Sequence, residues 1–404
     1  MKVLIISKFF APMDLARAVQ MTKVADALHA AACDVFVVAG GNTLKTVAAD
    51  KPYPVMSVTI NRTCDMWTAS GFRRISGRIE NIASRYSWVR KAAAACGRAV
   101  DDFRPDVIMS ASEPYDSHCA VLRLKARKKM PWIAFFSDPS PLAAMPPPYN
   151  RHRNRLMNHV EISIVRRILG ECDAIVMTNS YALRRMETAM GVAITNKSFE
   201  IAHIGTEPAS QQPCTNPFLT HLGDLYNRLS IPLLNAVRKA AERIPDRFPG
   251  VLFVGDIPDE LRVQVKRMDM EHLVHFRNRI SHAAAQELAS SSRALLLIEA
   301  PEKESPFLPG KFCDYAMTGR PILAITPPAG PVRDYLAKHG GGIAVEARED
   351  MIAEAIAGIF SQSPPASGAS PGRLADQFKA SAISVKYLEV FGAVVTSAKG
   401  KALS

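Results

Sequence analysis

The sequence predicts an α/β protein of two doubly wound domains, each built on a parallel sheet with helices on both faces. Three observations carry this. The chain has 404 residues, short continuous apolar runs alternate with helical patterns, and the alternation restarts halfway along. A chain of this length is about twice the size of an ordinary domain. With 48% hydrophobic and 22% charged residues it has the means to bury two cores.

In the first half, Lys2–Ser7 reads as a buried strand, Ala16–Ala31 as an amphipathic helix and Asp34–Ala39 as a second strand. Asp106–Ser110, Trp132–Phe136 and Ala174–Thr178 repeat the pattern, each leading into a helical stretch. Strands that are apolar throughout belong to parallel sheets covered on both faces. The pattern starts again with Leu219–Gly223, Val251–Gly255, Ala294–Ile298 and Pro321–Ile325. Between the halves, the polar, proline-bearing stretch Glu207–Pro213 reads as a linker. Ser361–Gly372, rich in Ser, Pro and Gly, reads as a loop, and Leu374–Val395 as one amphipathic helix. The expected division is 1–207, 208–373, and a C-terminal helix and tail over 374–404 that can pack back on the first domain.

No apolar run approaches the roughly 18 residues that span a bilayer, and the N-terminal apolar stretch is too short for a signal peptide. A cytoplasmic protein is expected, with the inner face of the cell membrane open to it as a peripheral site. The seven cysteines are scattered and form no C-x-x-C pair, which argues against a disulfide framework or zinc site. No metal or cofactor is expected. The net charge is +12, and residues 1–200 hold 28 Lys+Arg against 17 Asp+Glu, so +11 of it lies in the first half. Such a field suits an anionic partner: a phosphorylated substrate, an anionic membrane or nucleic acid.

In sheets of this type ligands bind beyond the carboxyl ends of the strands. The polar residues near those ends are Arg17, Glu113, His118, Asp138 and Asn179 in the first half, and Arg228 and Lys311 in the second. Two sheets facing each other across a hinge would aim them into one central cleft. The strongest motif runs from Glu304 through Pro309, Gly310, Lys311, Asp314, Tyr315, Gly319 and Arg320 to Pro321. Pro309 and Gly310 open a helix whose free N–H groups and positive dipole end suit a phosphate. Lys311 adds a full charge in a first turn where lysine is unfavourable for the helix itself. Asp314 is placed to accept ribose hydroxyls, although Lys311 and Asp314 also fit a surface ion pair at i, i+3.

That segment, Gly-Lys-Phe-x-Asp-Tyr-x-x-x-Gly-Arg-Pro-Ile-Leu-Ala-Ile, closely resembles the nucleotide-binding segment of family 4-like GT-B glycosyltransferases. The resemblance extends over most of the chain. It takes in Phe10-Ala11-Pro12 through Arg17, Pro105–Ile108 with Ser112-Glu113-Pro114, Pro131–Pro139, Cys172–Val176 and Leu222–Leu229. It implies a GT-B fold of two Rossmann-like domains, an acceptor-binding N-terminal half, a donor-binding C-terminal half and retention of configuration. It also implies a diphosphate-pairing cation at Arg228, with Gly223, Gly310, Lys311, Asp314 and Arg17 on the donor nucleotide. Two positions depart from the family. Its two glutamates lie eight residues apart; here the second is Asp314, while the first position is Pro306, with Glu304 the nearest acid. The first loop has Met13-Asp14-Leu15 where the family has a double glycine.

Near the acceptor, His118 is a candidate for proton transfer and Asp138 a second candidate. A hydrogen-bonded core histidine and a turn-forming aspartate are the plain alternatives. Glu304 completes the catalytic candidates. Phe72, Ile75, Ile79, Ile82, Tyr86, Val89 and Ala93 form one helical stripe flanked by Arg74, Arg78 and Arg85, with Trp88 nearby. It suits either an anionic membrane or packing on the sheet, and Arg123–Lys129 is a second basic run.

The function expected is transfer of a sugar from a nucleotide-sugar donor to a saccharide or polyprenyl-diphosphate-linked acceptor, in polysaccharide or glycolipid synthesis. The alternatives are a GT-B nucleotide-sugar epimerase, which would concentrate carboxylates in the N-terminal loops, and a nucleic-acid or anionic-surface binding protein without catalysis. No nucleic-acid-binding module is visible, so no nucleic-acid partner is expected.

Overall fold

The computed structural model describes residues 1–41, 51–60, 72–147, 149–150, 155–208, 212–225, 231–363 and 372–403. The chain divides into two compact units: Met1–Ile201 with Ile383–Ser404, and Ala202–Ala382.

The first unit opens β1 (Lys2–Ser7), α1 (Ala16–Ala30), β2 (Asp34–Gly41), β3 (Val55–Thr59) and α2 (Phe72–Phe103). It continues β4 (Val107–Ala111), α3 (Asp116–Lys125), β5 (Trp132–Phe136), α4 (Arg155–Glu171), β6 (Ala174–Met177), α5 (Ser180–Met190) and β7 (Ser198–Glu200). All seven strands are parallel, in the order β3-β2-β1-β4-β5-β6-β7. Every residue of β4, β5 and β6 is buried, as their unbroken apolar runs require of a sheet covered on both faces. Asn179 starts α5 by accepting the Ala182 N–H at 2.9 Å, and Gly191 ends it at φ 62°, the usual left-handed stop.

The second unit holds β8 (Asn216–Leu222), α6 (Ile231–Arg243), β9 (Val251–Val254), α7 (Asp259–Arg267), β10 (Val274–Arg277), α8 (His282–Ser291) and β11 (Ser292–Ile298). It ends with α9 (Gly310–Met317), β12 (Ile322–Ile325), α10 (Pro331–His339), β13 (Gly342–Val345), α11 (Glu349–Ser361) and α12 (Arg373–Asp376). Its six parallel strands run β10-β9-β8-β11-β12-β13. In both sheets the strand order reverses once, at β1/β4 and at β8/β11, and such switch points mark where ligands bind in folds of this kind.

The helix read over Leu374–Val395 is two helices, α12 and α13 (Ala380–Leu403). The chain breaks between them because Phe378 turns fully into the core against Phe312 and Tyr335, with ring centroids at 5.7 and 5.0 Å. The stripe read on α2 is only partly its buried face. Ile82 and Tyr86 are exposed, whereas Ala93 is buried and Val89 packs on the core, beside the buried Ser84, Trp88, Ala92, Ala95, Cys96, Ala99 and Val100. The side chains of Phe72, Ile75 and Ile79 lie outside the described residues. Trp88 is a core residue rather than a surface one. No helix among the described residues is long and apolar enough to cross a membrane.

Candidate active site

In the second unit the chemistry gathers where β8 ends against the start of α9. Gly223 leaves β8 at φ 94°, a conformation suited to glycine. A Cβ there would lie 3.0 Å from Lys311 Nζ. Lys311 donates to the Leu222 carbonyl at 2.9 Å, and Leu222 N–H donates to Tyr315 Oη at 2.9 Å. Two side chains of α9 thus fasten its first turn to the end of β8. Burial pushes the Tyr315 phenol above its ordinary range, so it stays neutral. Pro309 precedes α9 in extended backbone, and as a proline it offers the helix no capping side chain of its own. The Lys311 ammonium, in the first turn of the helix, faces the turn at Gly223, and a cation beside a helix N-terminus is the chemistry of an anion site.

Asp314, one turn along α9, is buried and engaged. Its Oδ1 accepts from Thr206 N–H at 2.7 Å and Thr206 Oγ1 at 2.8 Å, while Oδ2 lies 3.9 Å from His282 Nε2. Thr206 thus holds it, with His282 nearby. Gly205 must be glycine: a Cβ there would come within 2.6 Å of the Cys313 carbonyl. Glu304 is exposed and bridges in β fashion to Ala329. The buried acid of this loop is Glu299, which accepts from Ser305 Oγ at 2.6 Å and from Thr326 Oγ1. It pins the ends of β11 and β12 to the loop that leads into Gly310. Arg228 lies outside the described residues.

In the first unit three ion-paired groups lie at the carboxyl edge of the sheet. Lys8, just past β1, donates to Asp116 Oδ2 at 2.7 Å, and its ammonium lies 5.6 Å from the Trp88 ring centroid. Arg85 of α2 holds Asp116 Oδ1 with two N–H groups at 2.9 and 2.7 Å and stacks 4.8 Å from the Tyr115 ring. Tyr115 in turn donates to Glu161 of α4 at 3.2 Å. Asp116 and Glu161 are almost fully buried, so a removed partner would leave a costly charge behind. Beside them Arg17 pairs with Asp138 Oδ2 at 3.1 Å, Ser137 Oγ donates to the same oxygen at 2.8 Å, and Ser140 Oγ donates to Glu113. Burial raises the Glu113 carboxyl above the ordinary range, opposed by Ser140 and Arg17.

The sequence brought Arg17, Glu113 and Asp138 to one edge, and they do meet there. Arg17 is committed to Asp138 in its own unit. His118 is wholly buried on α3, its Nδ1 2.7 Å from Ser110 Oγ and its ring 4.4 Å from that of Phe136. Trp132 donates to the same Ser110 Oγ at 2.7 Å. Burial lowers the imidazole to about 3, so it is neutral at ordinary pH and sits in the core. Lys8, Asp116, Arg85, Glu161 and Glu299 were not singled out as site residues. Lys8 follows β1 directly, and the rule of strand carboxyl ends would have found it. Of the second basic run, Lys125 pairs with Asp173 at 3.1 Å and Lys128 with Asp101, so part of its charge is spent within the unit.

Residues 18–198 match the family model for glycosyltransferase family 4. The whole chain is similar in fold to a sucrose-phosphate synthase from Thermosynechococcus elongatus, with a TM-score of 0.64 at 14% identity over 100% of this chain and 98% of that one. A glycosyltransferase from Rickettsia africae gives 0.60 at 11%, over 98% of each chain. A UDP-GlcNAc 2-epimerase from Methanocaldococcus jannaschii gives 0.55 at 10%, over 97% of this chain and 100% of that one. At such identities the likeness speaks for the fold alone. No curated protein sequence matches the chain. The whole chain thus has the two-domain GT-B fold of these structures. Its first unit carries a glycosyltransferase family 4 domain over residues 18–198.

Proposed function

We propose that the protein transfers a hexosyl unit, with retention, from a nucleotide sugar to a saccharide or lipid-linked acceptor in polysaccharide or glycolipid synthesis. The single observation that carries the donor assignment is the Lys311 ammonium beside Gly223 at the start of α9. There the helix N–H groups, Lys311 and Arg228 hold the diphosphate, and Asp314, oriented by Thr206, accepts from the ribose. Lone helix ends attract anions weakly; a full cation in the same turn makes the site selective for a multiply charged group.

On the acceptor side, Asp138 is the group we assign to the acceptor hydroxyl. Arg17 and Ser137 fix its carboxylate at the edge of the first sheet while leaving it partly exposed. His118 supports this edge from below through Ser110 and takes no proton from substrate. The proton of the acceptor hydroxyl leaves with the nucleoside diphosphate, which departs with the electron pair of the broken C1–O bond. A thermal-shift panel of nucleoside diphosphates and nucleotide sugars tests the reading. A ligand at 100 times its dissociation constant should add about 2.7 kcal/mol of apparent stability, and a panel without any response rejects it.

One observation favours a second reading, epimerisation at the sugar. Glu113 and Asp138 bring two carboxyls to one edge, and a pair in unlike environments can serve as acid and base. Incubation with UDP-GlcNAc alone separates the two: an epimerase changes the sugar without acceptor, a transferase does not.

A further inference from the structure

The three strands on one side of the reversal in the second sheet end close together in charged turns, two of them in Gly-Asp. β8 runs into Gly223-Asp224, β9 into Gly255-Asp256, and β10 into Asn278-Arg279. Gly255 stands at φ 143°, and a Cβ on it would come within 2.8 Å of the Gly223 carbonyl. The two glycine turns therefore stack, which only bare backbone permits, and the aspartates that follow them share one guanidinium. Arg279 Nη2 donates to Asp224 Oδ2 at 2.7 Å and to Asp256 Oδ2 at 2.9 Å, and Asp256 N–H donates to Asp224 Oδ1 at 3.2 Å. The Arg279 side chain is 55% exposed and that of Asp256 71%, so water weakens this hold.

The same turn meets Lys311: Gly223 faces its ammonium, and the next residue, Asp224, holds Arg279. Two carboxylates beside an anion site repel the ligand unless a cation answers them. A diphosphate at Gly223 competes with them for that cation, and its oxygens match the guanidinium fork as well as a carboxylate does. We propose that Arg279 is a further diphosphate-binding residue of the donor site, held by Asp224 and Asp256 until an anionic ligand at Gly223 draws its guanidinium toward Lys311. This rests on the donor-site reading above. The aspartates then act as a counterweight: they keep the arginine ordered when the site is empty and lower affinity by the competition they offer.

The competition gives the two partners opposite signs, and calorimetric titration of the full chain with UDP, GDP, ADP and inorganic diphosphate at low salt reads them. Arg279→Gln should weaken the diphosphate that wild type binds by about tenfold, the loss of one charge-assisted bond. Asp256→Asn, at an exposed position that folding does not depend on, should tighten it by about threefold. The double variant should bind like Arg279→Gln alone, because Asp256 acts through the arginine. If Asp256→Asn tightens binding equally in the Arg279→Gln background, Asp256 acts by long-range repulsion and the proposal is overturned. Unchanged affinity in Arg279→Gln overturns it as well. Lys311→Ala run alongside separates the two levels: if it weakens binding while Arg279→Gln does not, only Arg279 is misassigned. If wild type binds none of the four ligands, the donor site itself falls and the proposal with it.

Discussion

Arg17 donates to Asp138 across 121 residues of sequence, at 3.1 Å, with both side chains largely covered. Family resemblance put Arg17 on the donor nucleotide; the structure pairs it with the acceptor-side aspartate of its own unit. Its charge is used to fix a carboxylate. Asp138→Asn should therefore cut sugar transfer at least about tenfold, with nucleoside diphosphate affinity unchanged. A double-mutant cycle with Arg17→Gln, read on thermal stability, should give a coupling of about 1 kcal/mol. Additive effects would mean that the pair does not act as one unit.

Asp314 accepts from both the N–H and the hydroxyl of Thr206. Asp314→Asn should weaken nucleotides more than inorganic diphosphate, since only the former carry a ribose for a charged acceptor. Thr206→Val should show the same preference at smaller size, and Thr206→Ser should restore wild-type binding. Equal losses for both ligands would make Asp314 a support of α9 only.

His118 provides a pH test of the first unit. Its ordinary value is 6.5 and burial lowers it to about 3 in the folded chain. The unfolded chain therefore binds the proton between those values. Stability is full above about 6.5 and falls with acid by about 1.4 kcal/mol per pH unit through that window. Urea unfolding of the first unit's signal at pH 7 and pH 5 should differ by about 2 kcal/mol more in wild type than in His118→Gln. An identical pH response would place the imidazole in contact with water.

The basic start of α2 is the segment we propose for contact with an anionic membrane surface. Replacing Arg73, Arg74 and Arg78 with Gln should weaken sedimentation with anionic vesicles, each charge contributing about 1 kcal/mol near the surface. Their side chains lie outside the described residues, whereas Ile82 and Tyr86 further along the helix are exposed. Ile82→Ser with Tyr86→Ser should weaken sedimentation too. No sedimentation of wild type even at low salt would remove the membrane from the account.

The parts of the fold that were legible share one physical property. β1, β4, β5, β6, β8 and β11 are interior strands, and their apolar runs follow from burial on both faces. The four strands that the sequence did not announce, β3, β7, β10 and β13, are the four edges of the two sheets. Edge strands are less enclosed, and Ser198–Glu200 or Gly342–Val345 has little to distinguish it from a loop. The α2 stripe overlaps the buried face only at Val89 and Ala93 among the described side chains, because several periodic faces compete on a helix of 32 residues and packing chose the small-residue face bearing Trp88. In the site, local signals were readable: Gly310 and Lys311 lie where the motif put them. Pairings over long separations were not. Nothing near Lys8 announces Asp116, and nothing near Asp224 announces Arg279, because the fold alone brings strand ends together.

The central claim is that the start of α9 holds the donor diphosphate through Lys311. Calorimetric titration of nucleoside diphosphates into wild type and Lys311→Ala tests it most directly. The account predicts a loss of about 1.5–3 kcal/mol, roughly 10- to 100-fold in affinity, with the melting temperature of the free protein scarcely changed. Equal affinities for the two proteins would contradict it.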